Sequence, residues 1–541
     1  MARRAEPSRH RSRLGAIAGI AGLAGLAVVF VWLCRVRAVE PLGMDQGLFA
    51  CFGRWAGAEV LPYRDMWDSK PPLALYTYPL AFALFGPHTG AIWLFEALWL
   101  AASMAAAFLL GRAAGGRGRG TLAAAFLLAL LWSPGWGGYW SRAQAEEFLA
   151  LPVIAAGWAA LRTSRRTGAA FACGLMTGVA GLYKLPALAL LAAWPCGWAV
   201  GRQPRRFAVL VLLMVAGAAV PLAAAAAWFA AHGAAGELWR AAVVYNRHYA
   251  AVIGGGSSWA DLFPRFARTL FRAAPVAALA GPFGAALLLV RDPVRGVWLA
   301  SWQLLSAAAV LGQRQLAGYH FLLLAPPLAL GAAHGIAALA EAVRGAEGRR
   351  RWLAGAGLAG LALLGISSAR AWATSYGLDA EAAAGKLPRV SYLRRLESGP
   401  FSPADEEAAA AYVAARTAPE DGILVWGLSP GVYFLSGRHP VTRFPFHHLL
   451  LTDAPLSRRF GSYRERRRAF LERLRRDPPA YILVGTGDRN GFEPEDSWRQ
   501  LLRFPELRRI VFRDYVEERR IGRFRVFARK RDVDGGGPAD E

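Results

Sequence analysis

The chain has 541 residues, of which 55% are hydrophobic, with 20 tryptophans and a formal net charge of +25. Long apolar runs in that background indicate a polytopic membrane protein rather than a large soluble core. The basic excess is mostly arginine, gathered in short clusters between apolar runs as in cytoplasmic loops, and this argues against nucleic acid as a partner.

Lysine occurs only at Lys70, Lys184, Lys386 and Lys530, and the heavy use of Ala, Gly and Arg is compatible with a high-GC bacterial genome. None of the four cysteines (Cys34, Cys51, Cys173 and Cys196) has CxxC or zinc-like spacing. No metal site is implied, and free packed thiols are expected in preference to a Cys34–Cys51 pair.

Residues 1–13, MARRAEPSRHRSR, form a basic tail expected in the cytoplasm, followed by the apolar run Leu14–Leu33. The run is too long for a signal peptide and no small-residue cleavage site follows it, so it reads as an anchor. Next comes MDQGLFACFGRWAGAEVLPYRDMWDSKPP (residues 44–72), with Asp45, Glu59, Arg64, Asp65, Asp68 and Lys70. A connection between membrane helices that carries aromatics and carboxylates suggests a site; its plain alternative is a solvated loop.

Further apolar segments lie near 73–86, 89–111, 120–133, 146–161, 168–182, 185–200, 207–231, 273–290, 297–312, 321–340 and 353–367. The first has only fourteen residues, against about 20 for a spanning helix. If it does not span, the clusters Arg112/Arg117/Arg119, Arg162/Arg165/Arg166, Arg202/Arg205/Arg206, Arg291/Arg295 and Arg344/Arg349/Arg350/Arg351 all share the cytoplasmic side with the N-terminal tail. If it does, all of them move outside, against the positive-inside rule.

The expected arrangement is therefore eleven spanning helices in a domain of residues 14–367, with 73–86 as a juxtamembrane or re-entrant helix. The first outer loop is 34–88. The loops 134–145 and 232–272, the turns at Tyr183-Lys184 and 313–320, and the C-terminal region share its side. Residues 368–531 read as an outer, periplasmic or extracellular α/β domain. In it a helix starts at Ser402-Pro403 and runs to Ala415. Strands are expected at ILVWG (423–427) and AYILVGT (480–486), with a basic helix between them near 462–476. RRIVFRDYVEERRIGRFRVFARK alternates like a hairpin around Gly522. Residues 532–541 read as a disordered tail. GxGxxG, Walker, HExxH and GxSxG motifs are absent from any convincing context, and no transporter-type repeat is evident.

MDQGLFA with DSKPPLALYTYPLAFALFG resembles the first outer loop of the GT-C superfamily of membrane glycosyltransferases. It is similar there to the glycosyltransferase family 39 group, which includes protein O-mannosyltransferases and lipid A aminoarabinose transferase. GLMTGVAGLYKLP (174–186) and GYHFLLLAPPLAL (318–330) extend the resemblance over most of the membrane half. It implies transfer of a sugar from a polyprenyl-phosphate donor to a hydroxyl on a glycan, lipid or protein acceptor, at the outer face of the cytoplasmic membrane. Asp45 is then the general base. The family often has Asp-Glu at this point, whereas this chain has Asp45-Gln46. A second acid is implied in GYWSRAQAEEFLALP, with Glu146 preferred to Glu147, and Lys70 matches the lysine of the family's Lys-Pro pair.

The residue types suit that chemistry. A carboxylate takes the acceptor proton, and a phosphate monoester leaving group needs a cation and donors held ready. Lys70 is the first donor-phosphate candidate, followed by Arg314, Tyr319 and His320. Further possible substrate contacts are Asp68, Glu147, Lys184 and Arg247. No cofactor is implied, since the lipid-linked sugar is a substrate, and a divalent cation is neither required nor excluded. Each residue has a structural counterpart: helix-start acids for Asp45 and Glu146, snorkelling or anchoring lysines for Lys70 and Lys184, and a packed histidine for His320. Tyr245, Arg247, His248 and Tyr249 fit an interfacial helix equally well. The rival function is a lipid or glycan transporter, which would place ionisable groups near the bilayer midplane. A simple anchor for the C-terminal domain would leave the 44–72 acids unexplained.

Overall fold

The computed structural model describes residues 6–55, 60–200, 204–249, 258–451, 463–490 and 495–530. Glu59, Arg202 and the tail 532–541 lie outside them.

The first helix, α1 (Glu6–Arg37), runs well back into the basic stretch expected as a tail. The connection between α1 and the next long helix carries two helices: α2 (Met44–Trp55), which opens on Asp45, and α3 (Pro72–Phe85), which starts at Pro71-Pro72. Pro at the first helical position is favoured because its missing N–H would have no partner there. All eleven expected spans fall on helices. Among the described residues six helices are long and apolar enough to cross a membrane: Gly19–Arg37, Thr89–Gly115 (α4), Pro204–Ala231, Pro293–Gly312, Gly318–Gly345 and Gly348–Ala383. A seventh crossing results if Trp259–Ala273 and Pro275–Arg291, bent by 106°, count as one. Others are shorter: a helix such as Ala169–Tyr183, with 15 residues, covers roughly 22 Å of a hydrocarbon core of about 30 Å.

Small residues let these helices approach closely, as expected where lipid removes any hydrophobic drive between them. A Cβ on Gly217 would lie 2.1 Å from the Phe171 carbonyl oxygen, and one on Gly284 would lie 1.9 Å from that of Gly331. Side chains there would force the pairs apart. The four cysteines are free.

The last membrane helix runs to Ala383, well past the expected boundary at residue 368. Its sequence there, SSARAWATSYGLDAEAA, is polar but rich in helix formers. It is held by Tyr376, whose hydroxyl donates to the Trp132 carbonyl, and by Asp379, which accepts from Tyr392 at 2.8 Å. The left-handed Gly385 follows its end. In the C-terminal domain the helix Pro403–Ala414 is capped by Ser402 as the sequence predicts. The strands β1 (Ile423–Trp426), β2 (Tyr481–Gly485), β3 (Tyr515–Ile521) and β4 (Phe524–Arg529) form a sheet of order β1-β2-β4-β3. β1 and β2 are parallel, and the other pairings are antiparallel. The hairpin turns at Gly522, but residues 508–514, expected to extend it, belong to the helix Pro505–Asp514. Pro505 starts that helix, and Leu507 and Val511, four apart, bury its inner face; packing outweighs the local alternation.

A buried polar network ties together the C-terminal end of α1, the N-terminal part of α4 and the loop that holds Arg142. The Arg142 guanidinium donates to Glu96 at 2.9 Å through Nε and to Glu40 and the Arg37 carbonyl at 2.6 Å each through Nη1. It also lies 3.7 Å from the centroid of the Trp93 ring. Arg37 pairs with Glu40 at 3.2 Å and lies over the Trp132 ring. Glu147, two residues before Leu149, accepts from Trp132 Nε1 at 2.9 Å and from the Ala143 amide at 2.7 Å. Gln46 joins α2 to this frame, its Nε2 donating to the carbonyls of Tyr139 at 2.8 Å and Arg142 at 2.9 Å.

The amide is essential there, because a carboxylate offers only acceptors to two carbonyl oxygens. Gln46→Glu should therefore destabilise the chain by roughly 2 kcal/mol or more through lost donors and a buried unpaired charge. Arg142→Met should cost more, about 3–5 kcal/mol, because Glu40 and Glu96 lose their shared cation. Thermal unfolding of the detergent-solubilised variants measures both, with Gln46→Met as the reference that loses the donors but adds no charge.

Candidate active site

Pro41-Leu42-Gly43 ends the connection from α1, and α2 places Asp45 in its first turn, where the helix dipole favours a negative group. Lys70 reaches this carboxylate from the other end of the loop, with Nζ 3.5 Å from Asp45 Oδ1. Both are largely but not wholly buried, at 17% and 13% exposure respectively. The Lys70 backbone is fixed by the Tyr63 hydroxyl, which donates to its carbonyl at 2.7 Å, and by the extended Pro71 that follows. Tyr63 adopts φ 71, a left-handed conformation uncommon outside glycine, and its amide donates to Met66 in the same tight turn.

A second ion pair lies beside the first. Lys184, extended after the helix Ala169–Tyr183, places Nζ 2.6 Å from Glu146 Oε1. His320 Nε2 is 3.9 Å from the same oxygen. Glu146 is 1% exposed, and neither of its oxygens accepts an aligned hydrogen bond among the described residues; its contact with Lys184 is one of charge rather than of directed bonding. Tyr319 connects the two pairs. Its hydroxyl is close enough to the Asp45 carboxylate to interact with it, and its ring centroid lies 5.7 Å from Lys184 Nζ.

Burial works against the Lys70 ammonium, but the charges of Asp45, Asp68 and Glu146 more than offset this, and its pKa rises above the usual lysine value. It is a cation at neutral pH. Asp68 is pushed upward by burial, with Lys70 opposing and Asp45 adding to the shift. Its Oδ1 accepts from the Ser69 amide, while Oδ2 has no hydrogen-bond partner among the described residues. The Tyr249 hydroxyl is raised to about 12, mainly by burial.

The structure thus gathers Asp45, Asp68, Lys70, Glu146, Lys184, Tyr319 and His320 at one place, from four separated stretches of chain. It separates Glu146 from Glu147, which is occupied by Trp132 and Ala143. Arg314 lies over the Trp259 ring, 5.1 Å from its centroid, and Arg247 is exposed. In the stretch from Tyr245 to Tyr249, Asn246 donates to the Ser69 carbonyl at 2.7 Å, and Tyr245 meets His448 at 3.1 Å. The helix Trp259–Ala273 is amphipathic, with Trp259, Phe263 and Phe271 exposed. No group of three or more His, Cys, Asp or Glu that could hold a metal exists among the described residues.

Sequence reasoning missed the frame around these residues. Glu96 is the lone carboxylate in the apolar run of α4, and such a group is costly in a membrane unless paired; that was the available signal for a buried cation such as Arg142. The role of Gln46 had no local signal.

The C-terminal domain closes over the site. A Cβ on Gly47 would meet Gly431 Cα at 2.7 Å, so α2 lies against the helix Gly431–Ser436. The Trp67 amide donates to the Arg443 carbonyl at 2.8 Å, Arg443 Nη2 donates to the Tyr63 carbonyl at 2.8 Å, and the Trp67 ring packs on Tyr245 and Phe446.

No protein-family model matches the chain, and no curated protein matches it in sequence. Solved structures match in shape. ArnT from Cupriavidus metallidurans bound to undecaprenyl phosphate superposes with a TM-score of 0.56 at 17% identity, covering 95% of this chain and 99% of that one. The apo state of the same protein gives 0.55 at 17% identity, covering 94% and 98%. The Archaeoglobus fulgidus oligosaccharyltransferase in its apo form gives 0.49 at 12% identity, covering 86% and 69%. The overall architecture of this chain is that of the GT-C membrane fold.

Proposed function

We propose that this chain moves a sugar from a polyprenyl-phosphate carrier to an acceptor hydroxyl at the outer face of the cytoplasmic membrane. The observation that carries the reading is the meeting of the Asp45–Lys70 and Glu146–Lys184 pairs around Tyr319. The shared fold with ArnT, crystallised with undecaprenyl phosphate, supports a lipid-phosphate donor. A transporter would be expected to carry its ionisable groups near the bilayer midplane, whereas these groups lie at helix ends and in the folded first outer loop.

In the proposed reaction the acceptor oxygen attacks the anomeric carbon while its proton passes to Asp45, and the bond from that carbon to the phosphate oxygen breaks. The phosphate monoester keeps the bonding electron pair, and the charge that develops on it is met by Lys70. An ammonium already in place, with restricted access to water, stabilises that charge without reorganising. Tyr319 orients the Asp45 carboxylate. Glu146 balances Lys184 as Asp45 balances Lys70, so that the two ammonium groups can stand near one phosphate without uncompensated repulsion before it arrives.

Asp45→Asn keeps size and hydrogen bonding but removes the base. Single-turnover transfer from a labelled lipid-linked sugar should fall by about 100- to 10,000-fold, with donor binding intact. Asp45→Glu should recover little, since an added methylene displaces the carboxylate by roughly an ångström. Lys70→Ala should weaken donor use, and Lys70→Arg should not restore it, because a planar fork does not replace a compact ammonium. A wild-type rate for Asp45→Asn would remove the assignment.

The proposed orientation has the loop at Arg117 in the cytoplasm and residue 420 outside. A cysteine at position 420, in a background without native thiols, should react with an impermeant reagent applied from outside, while one at 117 should be spared. Labelling of both would reject the arrangement.

A further inference from the structure

A cavity of about 930 Å³ lies at the end of the bundle opposite Glu146 and Lys184. The helices Ala150–Arg162 and Ala169–Tyr183 connect the two places: the first begins four residues after Glu146 and ends at Arg162, and the second begins at the cavity and ends beside Lys184. About twelve helical residues separate the ends, or about 18 Å.

The mouth of the cavity carries Arg162, Arg165, Arg166 and Arg295, with Asp292 as the carboxylate among its lining residues. Asp292 is committed to its own helix. It pairs with Arg295 at 3.4 Å and accepts from the Arg295 amide at 3.2 Å. The other three guanidiniums have no carboxylate within 4 Å among the described residues. Arg162 is positioned by stacking over Trp158, 4.4 Å from its ring centroid. The inner wall is apolar: Leu110, Ala155, Ala159, Ala160 and Trp198, with Trp198 fixed by its Nε1–H bond to the Ala160 carbonyl at 2.9 Å. Ordinary topogenic arginines require no cavity. Here three uncompensated cations stand at the rim of a recess of ligand size whose wall is apolar.

We propose that this cavity binds an anionic phospholipid, with its phosphate among Arg162, Arg165 and Arg166 and an acyl chain along the alanine and tryptophan wall. The charge complementarity selects an anionic head, and the apolar wall selects a lipid over a free phosphate. The site does not depend on the transfer chemistry, and its occupant would brace the two helices whose far ends hold Glu146 and Lys184.

Delipidated full-length protein, titrated in neutral detergent with phosphatidylglycerol or with phosphatidylcholine of the same chains, tests this by native mass spectrometry. Phosphatidylglycerol should be retained and phosphatidylcholine should not. Arg165→Gln should weaken retention about fivefold, and the triple change Arg162→Gln, Arg165→Gln, Arg166→Gln about a hundredfold, at roughly 1 kcal/mol per basic residue near an anionic surface. Ala159→Trp, which fills the wall without touching charge, should also release the lipid. The triple change Arg349→Gln, Arg350→Gln, Arg351→Gln, at exposed positions away from the cavity, should leave retention intact. Equal retention of the two lipids, or equal loss from the two triple variants, would overturn the proposal. So would displacement of the lipid by millimolar inorganic phosphate together with no effect of Ala159→Trp. Arg165 is exposed in a loop, so that variant keeps the test decisive if the bulkier one fails to fold.

Discussion

The Arg142 guanidinium, held between Glu96 in a membrane helix and Glu40 in the connection after α1, is the contact on which the end of the bundle that carries the candidate site depends. Burying such charges costs several kcal/mol per ion unless their hydrogen bonds are met. Arg142 meets the cost with two carboxylates, one carbonyl and a tryptophan face. That arrangement is directional. It fixes the backbone from Tyr139 to Glu147, and so decides which of two adjacent glutamates enters the site. Glu147 is taken up by Trp132 and Ala143, which leaves Glu146 facing Lys184.

The same frame explains the departure at Gln46. The position after Asp45 lies against two backbone carbonyls, and an amide can donate to both. Its function here is to lock the first turn of α2, and therefore the Asp45 carboxylate, onto the loop that delivers Glu146. The two ion pairs of the site hold its charge nearly in balance. An anion entering between them would exchange carboxylate partners for its own oxygens rather than require bare cations to be stored in a low-dielectric place.

The C-terminal domain is part of this arrangement rather than an appendage. One continuous hydrophobic core runs from the membrane helices through α2 and α3 into the sheet, and Gly47 and Gly431 permit backbone contact across the join. The loop that carries Asp68 and Lys70 is bonded on one side to Arg443 and on the other to Asn246. Its shape is set by both halves of the chain.

The sequence by itself determined the class of the protein, the positions of its apolar helices, the four strands in outline and the stretches whose ionisable residues come together. Those are encoded locally: twenty-residue hydropathy, proline and serine at helix starts, and ionisable residues beside apolar runs. Tertiary structure decided the rest. The last membrane helix continues to Ala383 because Tyr376 and Asp379 are anchored by distant residues. Residues 508–514 are helical because Leu507 and Val511 pack inward. The meeting of Glu146 rather than Glu147 with Lys184, the approach of Tyr319 to Asp45 and the seat of Arg314 over Trp259 each depend on partners distant in sequence. A window of neighbouring residues contains no information about which charge will be buried against which, because that is settled by the geometry of helices brought together from separate parts of the chain.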